Sequence, residues 1–256
     1  MARSEGGGDE VSLDTLDLEG LRDVRLRRTG RFRSSGEPFD YEVRLLGPSD
    51  VDDLVGLHEE IIASLPDPLL LYRREAAFFL ECMTEGCVAG AYHGPRLISY
   101  AALFVPGLDP GNYGRDLGLE GEDLLAVGHL AGSAVSVPYR GNRLQRELVA
   151  LRNHYALRSR HHHMCGEVVP GNVISIINHL AEGFYLTGHR IDDFGDRCYI
   201  LHADLRHEPH RVTGDVALET DPSDLDGYVE LVDDGRWGFE VDRREDGYHL
   251  RYGRFE

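Results

Sequence analysis

Residues 137–148 read VPYRGNRLQREL. This stretch joins an apolar segment that ends at Val137 to a helical pattern that begins near Asn142. A tight Gly turn between a strand and a helix can cradle phosphate groups, because the first N–H groups of the helix lack partners and the helix dipole is positive there. Arg140-Gly141-Asn142 fits that geometry, although Arg-Gly turns are also common on surfaces.

The charge around this stretch is opposite to that of the whole chain. The 256 residues carry a net charge of −18, and every basic residue other than histidine is arginine. Such acidity excludes nucleic acid and anionic membranes as natural partners. From Arg140 to His163, however, six arginines stand against one acid, Glu147. This local excess indicates an anionic partner, and a solvated basic helix face accounts for some of it.

Hydrophobic periodicity and turn signals give the order of elements. The pattern predicts strands over 41–46, 87–92, 97–105, 124–137, 163–169, 184–190 and 198–205, and helices over 50–65, 72–85, 142–158 and 172–182. Ser49 and Asp52 have the spacing of a capping box at the start of the first helix, and Pro66 and Pro68 follow its end. The order β-α-α-β-β-β-α-β-α-β-β predicts an α/β (α+β) fold with a mixed sheet.

The two ends of the chain differ in composition from the middle. Residues 1–39 are rich in Gly, Ser, Asp and Arg, which predicts a flexible leader. Residues 40–206 hold the main pattern. After Arg206, a helix over 224–233, capped by Ser223, and a hairpin over 237–241 and 248–252 predict a C-terminal extension over 207–256. The loop over 106–123 is long enough to suggest a functional role.

The order of elements together with V-x-V-P-Y-R-G-N-R-L-Q resembles the GNAT superfamily of acyl-CoA N-acyltransferases. Their signature, Arg/Gln-x-x-Gly-x-Gly/Ala, opens the helix after the fourth strand. A second landmark agrees: Asn172, Ser175, Gly183 and Phe184 match the family's N-x-x-A/S followed by G-F one helix later. The resemblance covers roughly residues 41–205 and implies the GNAT fold.

The resemblance implies a binding site for acyl-coenzyme A. Backbone groups of Val135 and Val137 are expected to pair with the pantetheine arm, and Asn172, with Ser175 in the same motif, to lie beside the thioester. A helix N-cap is an equally good interpretation of Asn172. Backbone amides of one continuous segment are expected to face the pyrophosphate: Arg140, Gly141, Asn142, Arg143, Leu144 and Gln145.

Three positions depart from the family pattern. Arg143 stands where the family has its central Gly and Gln145 where it has its last small residue. Arg143 either crowds the loop, adds a cation to the phosphates or points to solvent. His179 stands where the family often has a Tyr that protonates the departing thiolate. An imidazole can supply that proton near neutral pH, and a histidine packed against the sheet is the alternative.

Direct attack by an amine requires a base, because an alkyl amine is protonated at pH 7. His129 and Ser136 on the fourth predicted strand and Glu167 on the fifth are expected near the cleft, and His129 has the most suitable pKa. Tyr72, Tyr113 and Tyr185 are further candidates for lining the acceptor site, and ordinary packing is the alternative for each.

The cysteines and histidines point to no metal and no disulfide. Cys82, Cys87, Cys165 and Cys198 form no CxxC pair, and no signal peptide precedes them, so reduced thiols and a cytoplasmic location are expected. His161-His162-His163 suggests metal at first sight. Because adjacent histidines point in different directions and no second ligand pair stands at metal spacing, we expect no metal.

The sequence thus predicts an N-acyltransferase that moves an acetyl or other acyl group from coenzyme A to a small-molecule amine. An acyl carrier protein is the alternative donor, with the arginine-rich helix as its docking face, and a GNAT-like binding module without catalysis is a third possibility. The acceptor, the acyl chain and the state of the chain, monomer or homodimer, stay open.

Overall fold

A mixed β-sheet with helices on both faces runs through the chain. The structure, a computed structural model, describes residues 12–67, 70–192, 195–207, 212–213 and 219–255. The strands are β1 (Leu26–Arg31), β2 (Pro38–Leu45), β3 (Cys87–His93), β4 (Arg96–Phe104), β5 (Val127–Val135), β6 (His163–Val168), β7 (Tyr185–Ile191), β8 (Arg197–Asp204), β9 (Val212–Thr213), β10 (Glu219–Thr220), β11 (Trp237–Arg244) and β12 (Gly247–Phe255). The helices are α1 (Leu18–Asp23), α2 (Val51–Ser64), α3 (Ala76–Glu85), α4 (Gly121–Leu125), α5 (Leu144–Arg158), α6 (Val173–Ala181) and α7 (Leu225–Asp233).

The sheet confirms the predicted fold class. Its order is β1-β2-β3-β4-β5-β6-β8-β7-β11-β12-β10, with β9 beside β12. β5 and β6 are parallel, and the other described pairs are antiparallel. From β2 to β8 the elements follow the order that the resemblance to the GNAT superfamily implied, with the short helix α4 added before β5.

The strand predicted over 124–137 is shorter at both ends. Gly121–Leu125 is a helix, and Val137–Tyr139 forms a 3₁₀ turn. Pro138 lies within that turn; it lacks an N–H group and cannot donate to a sheet. Val137 is exposed, not a core strand residue.

The prediction of a flexible leader over 1–39 is wrong for residues 12–39; residues 1–11 lie outside the described part. α1 buries Leu21 against α5, and β1 pairs with β2 along its whole length. Leu21, Val24 and Leu26 are buried. These three apolar side chains are separated by arginines, so no clear period appears in the sequence, but pairing with β2 supplies the missing stability.

The capping box predicted for Ser49 and Asp52 is wrong: the Asp50 carboxylate caps the 3₁₀ turn Pro48–Asp50 that leads into α2. Asp50 Oδ2 accepts the Gly47 N–H at 2.8 Å and both carboxylate oxygens bind the Arg44 guanidinium at 2.7–2.8 Å. The Arg44 partnership lowers the pKa of Asp50 to about 2. α2 ends at Ser64, before Pro66; Pro68 lies outside the described residues.

Hydrophobic cores lie on both faces of the sheet. One packs α1 and α5 against the sheet and includes Leu148 and Leu151; the other packs α2 and α3 and includes Leu54 and Phe79. Cys82, Cys87, Cys165 and Cys198 are all buried and free. Among the described helices, none combines the length and apolar character that a bilayer crossing requires.

The C-terminal residues continue the sheet. α7 is capped by Asp224, whose carboxylate accepts the Gly227 N–H, and not by Ser223. β11 meets β7 through Gly238 opposite Leu186. A Cβ at Gly238 would lie 3.2 Å from the Leu186 Cβ, so glycine permits the close approach. The predicted domain boundaries at residues 40 and 207 stay predictions.

Candidate functional site

β5 and β6 pair over a short distance and then diverge. The parallel register joins Val127, Gly128 and His129 to His163, Met164 and Cys165, and no further pairs follow. β5 continues to Val135 beside β4, while β6 continues beside β8. The facing edges of the two strands therefore open into a cleft beyond His129 and Cys165.

The end of β5 turns its backbone toward this cleft. Ser136 N–H donates to Ile98 O at 2.9 Å, and Ser99 stands opposite Val135. Since hydrogen-bonded and non-hydrogen-bonded pairs alternate in an antiparallel ladder, the Val135 N–H and C=O point away from β4. Arg140 Nε donates to Val135 O at 3.1 Å. Val137 has left the strand, so only Val135 of the two predicted valines lies on this edge.

The loop after β5 has the shape of an anion cradle. Gly141 has φ +90°, and Arg143, the N-cap of α5, has φ 60° and ψ 15°. No side chain caps the helix, and among the described residues the backbone N–H groups of Leu144, Gln145 and Arg146 have no acceptor. Leu144 anchors the turn by burying its side chain. The free amides and the exposed Arg143 side chain leave the helix N-terminus open to an anion.

Arg143 holds a backbone conformation that glycine adopts freely and other residues rarely do. A glycine at this position would therefore hold the same backbone conformation without strain. The sequence alternatives of a ligand contact or a solvent-facing side chain remain compatible with this exposed position.

The Asn142 side chain holds the loop in place by three hydrogen bonds. Asn142 Oδ1 accepts the Arg31 N–H at 2.7 Å, and its Nδ2 donates to Arg31 O and Tyr139 O. The loop is thereby tied to β1, which the sequence did not predict to be a strand. A depression of about 520 Å³ lies at this junction, and its basic lining residues are Arg31, Arg33 and Arg140.

A polar chain crosses from β5 to α6 behind the loop. Gln145 Nε2 donates to Ser133 Oγ at 3.1 Å, and Asn178 Nδ2 donates to Gln145 Oε1 at 3.0 Å. The side chain of Gln145 thus lies between the strand and the helix, where the family has a small residue. Nothing in the sequence indicated Ser133 or Asn178, because their partners are far away in the chain.

Asn172 is the N-cap of α6. Its Oδ1 accepts the Ser175 N–H at 3.2 Å, and its Nδ2 donates to Leu70 O at 3.0 Å. The cap that the sequence offered as one of two interpretations is confirmed. The second bond fixes α6 to the segment before α3, so Asn172 and Ser175 help to shape the cleft's far side.

His129 does not have the character of a base. Its Nε2 accepts the Tyr113 N–H at 3.0 Å, and the two rings stack with centroids 3.8 Å apart. Burial, with a smaller contribution from Arg190, lowers the pKa of His129 to about 3. The prediction that this residue titrates near neutral pH is wrong, because its lone pair is used to hold the loop over 106–123 against β5.

His179 likewise lacks the character of an acid. Its Nδ1 lies 2.8 Å from Ser175 O one turn earlier in α6, and its ring packs edge-on to Phe184. Burial is the main reason that the pKa of His179 is lowered to about 4. A neutral imidazole at pH 7 carries no proton to give readily, so the alternative of a packed histidine is the one observed.

Ser136 is fully buried at the end of β5. Its hydroxyl donates to Glu60 Oε1 at 2.8 Å, and Glu60 Oε2 binds Arg96 Nη2 at 2.8 Å. The serine is therefore part of a bridge from α2 to β4 and β5. Glu60 was not identified from the sequence, where it reads as an ordinary exposed helix residue.

Glu167 is the one predicted catalytic candidate with suitable surroundings. It stands on β6 two residues beyond the last pair with β5, and Tyr113 lies close enough to lower its pKa. Arg190 Nε lies 3.8 Å from its Oε2, and Arg190 Nη1 lies 3.6 Å from Asp116 Oδ2. Burial raises the pKa of the Glu167 carboxyl above its ordinary value, although Tyr113 and Arg190 act against the shift.

The loop over 106–123 supplies this cluster. Asn112 folds the loop through its Nδ2 bonds to Gly107 O and Leu124 O and through its Oδ1 bond from Gly114 N–H. The next residue, Tyr113, lies under the Arg190 guanidinium, which is 4.5 Å from the ring centroid. The loop over 106–123, predicted to be functional, is thus an ordered segment that packs beside Glu167.

The other two predicted tyrosines differ in role. Tyr72 donates to Asp192 Oδ2 and lies near Cys198 and Glu167, on the same side of the sheet as the Glu167 cluster. Tyr185 is buried and packs against Trp237 and Phe255. Tyr185 is therefore ordinary packing, as the alternative interpretation stated.

No protein-family model and no curated protein matches the chain. Among solved structures, an acetyltransferase of the GNAT family from Streptococcus pneumoniae is 15% identical, with a TM-score of 0.48 over 64% of this chain and 98% of that one. A ribosomal-protein-S5-alanine acetyltransferase from Vibrio fischeri is 16% identical, with a TM-score of 0.48 over 69% and 96%. A putative acetyltransferase from Salmonella typhimurium, with its cofactor acetyl-CoA, is 14% identical, with a TM-score of 0.46 over 68% and 96%.

Arg143→Gly is expected to stabilise the fold. The substitution removes a left-handed conformation that costs a non-glycine residue about 1–2 kcal/mol, and the greater flexibility of the unfolded chain offsets part of that gain. Urea unfolding should show a higher midpoint for Arg143→Gly than for Arg143→Ala, which keeps the strain. A variant midpoint equal to that of Arg143→Ala would contradict the strained loop.

Histidine burial makes stability depend on acid pH. In the unfolded chain His129 titrates near pH 6.5, so between that value and about 3 the unfolded state binds more protons than the folded state. Folding stability should therefore fall as pH drops through this window, by at most about 1.4 kcal/mol per pH unit for one group. Unfolding of wild type and His129→Gln between pH 7 and 4.5 tests this, since the variant should show the shallower slope. Parallel curves would contradict a buried neutral His129.

Proposed function

We propose that this protein is an N-acyltransferase that moves an acyl group from a coenzyme A thioester to an amine. The observation that carries the proposal is the cleft where β5 and β6 diverge, whose β5 edge runs directly into the uncapped N-terminus of α5. An extended thioester arm can pair with the free edge, and the phosphates at its end can bind the free amides of the helix. A site for a compact ligand would not need both features in line.

The donor is bound by backbone groups and arginines. The amides of Leu144, Gln145 and Arg146 would bind the pyrophosphate, and the Arg143 side chain would add a charged fork. On the β5 edge, Val135 N–H points into the cleft. Val135 O already accepts a hydrogen bond from Arg140 Nε. The pantetheine arm would therefore accept a hydrogen bond from Val135 N–H, or displace Arg140 and donate to Val135 O.

The chemistry is direct attack. The amine nitrogen bonds to the thioester carbonyl carbon, the C–S bond breaks, and the thiolate takes a proton from water. A β5 backbone N–H facing the cleft would polarise the carbonyl. Glu167 would take the proton that the amine loses, directly or through water. Its raised pKa makes the carboxylate a stronger base and brings it closer to the pKa of the amine.

The walls of the cleft favour a cationic acceptor. Glu167, Asp116 and Asp192 bring three carboxylates to one side of the sheet. An ammonium group would be attracted by this charge and then deprotonated by Glu167. Arg190, between Glu167 and Asp116, would hold the carboxylates apart.

A carrier-protein donor is the second candidate. The depression beside the loop that joins β5 to α5 is lined by Arg31, Arg33 and Arg140, and β1 lies at the edge of the sheet. An acidic carrier presenting phosphopantetheine would meet an arginine-rich surface there. The same arginines would also suit the 3′-phosphate of free coenzyme A.

Coenzyme A is expected to bind and to stabilise the fold. Its binding to the native state alone raises the melting temperature by mass action. Thermal melting with millimolar coenzyme A should show a rise that is smaller in Gln145→Arg, where a longer side chain would fill the cleft behind the loop. If the melting temperature of the wild type rises with a phosphopantetheinylated carrier but not with coenzyme A, the second candidate is favoured. If it rises with neither, the proposal is overturned.

Glu167→Gln is expected to lower kcat by about 10²–10⁴-fold, the usual contribution of general base catalysis, with little change in KM for acetyl-coenzyme A. Release of free thiol with a panel of primary amines measures it. Glu147→Gln is the matched control for kcat, because Glu147 is also half-buried beside a tyrosine and accepts the hydroxyl of Tyr41, a residue of β2, at 3.1 Å. Equal rates for both variants would remove Glu167 from the mechanism.

A further inference from the structure

Two histidines and an aspartate converge at the opposite end of β5 and β6 from the phosphate loop. One ligand atom from each of Asp123, His162 and His163 lies within 4.8 Å of the others. The strand register explains the meeting, since Val127 pairs with His163 and Asp123 stands one turn before Val127. The sequence argument that adjacent histidines diverge is wrong here: the His162 and His163 rings are 4.7 Å apart and tilted by 51°.

The Nε2 atoms of His162 and His163 have no hydrogen-bond partner among the described residues. His163 is 6% exposed, and both Nε2 atoms are shielded from solvent. His163 Nε2 lies 3.6 Å from Asp123 Oδ1, which is longer than a hydrogen bond. Buried polar atoms normally have partners, so two orphaned Nε2 atoms on neighbouring rings, one of them facing a carboxylate, call for a ligand.

The other side of His163 is prepared for a metal. Its Nδ1 lies 3.2 Å from His202 Nε2. If Nδ1 carries the proton and donates it to His202, the lone pair of Nε2 faces Asp123. Metal-binding histidines commonly donate their second nitrogen in this way, which fixes the ring and the tautomer.

The surrounding charge is compatible with a divalent cation. Asp123 and Asp204 supply two carboxylates, and Arg206, the nearby cation, is paired with Asp204 at 2.6 Å. Leu205 N–H donates to His162 O, and His163 N–H donates to Ala126 O, so the histidine backbones are fixed by the sheet. Asp123 is exposed on α4 and is the ligand free to adjust.

We propose that Asp123, His162 and His163 form a binding site for a divalent transition-metal ion, with Zn²⁺ as the ion that this ligand set suits best. Two imidazoles and a carboxylate leave one position of a tetrahedron for water. Ligand bonds of about 2.0–2.2 Å would place the ligand atoms roughly 3.4 Å apart, so the three ligand atoms, now within 4.8 Å of one another, would move closer when the ion binds. The ion would clamp the end of the 106–123 loop to β6, and this role does not depend on acyl transfer.

The test uses the full untagged chain, stripped with a chelator and titrated with Zn²⁺ by calorimetry. One ion per chain is expected, together with a rise in melting temperature that chelator reverses. Co²⁺ should give the intense visible absorption of a tetrahedral site. Asp123→Asn and His162→Gln should each weaken Zn²⁺ binding by at least about tenfold.

His249→Gln is the matched control, because His249 pairs with Asp246 at 3.0 Å on the C-terminal hairpin, outside the cluster. It should bind Zn²⁺ as wild type does. Asp123 is exposed, so Asp123→Asn keeps the test valid if a histidine variant fails to fold. Undiminished Zn²⁺ binding by Asp123→Asn and His162→Gln overturns the proposal. Absence of Zn²⁺ binding by the wild-type chain also overturns it. If Asp123→Asn is then less stable than wild type, Asp123 and His163 form a simple ion pair.

Discussion

The divergence of β5 and β6 is the constraint on which the cleft depends. Parallel strands must exchange hydrogen bonds or find other partners for their backbone groups. Here β6 turns to β8 and β5 stays with β4, so the edge of β5 beyond His129 has no strand partner on the side of β6. The bulge at Gly132, with φ +99°, shifts the β4–β5 register in the same region. The β5–α5 loop, the N-terminus of α5 and the carboxylates around Glu167 all lie around this gap between β5 and β6.

Burial decides which side chains near the cleft can carry a proton. His129 and His179 are enclosed and hydrogen-bonded within the fold, which lowers the pKa of each well below neutrality. Glu167 is enclosed too, but burial moves a carboxyl in the opposite direction and raises its pKa. The same desolvation therefore keeps the histidines neutral and raises the proton affinity of Glu167, since burial disfavours the charged form of each group.

Arginines from distant parts of the chain meet at one edge of an acidic protein. β1 contributes Arg31, the turn after it contributes Arg33, and the loop after β5 contributes Arg140 and Arg143. Asn142 joins the two segments by three hydrogen bonds. Because charge repulsion would otherwise separate them, the bonds of this one amide side chain matter to the shape of the basic surface.

The sequence by itself determined most of the elements between Tyr41 and Leu205 and the turn that joins β5 to α5. Hydrophobic periods are local, so the strands and helices from Tyr41 to Leu205 could be predicted, as could the turn at Gly141. Only the tertiary structure decided the roles of the side chains. His129, Ser136 and His179 looked available for chemistry until their partners Tyr113, Glu60 and Ser175 were seen. Asp123 joined His162 and His163 only through strand register, because the pairing of residues far apart in the chain leaves no periodic trace in the sequence.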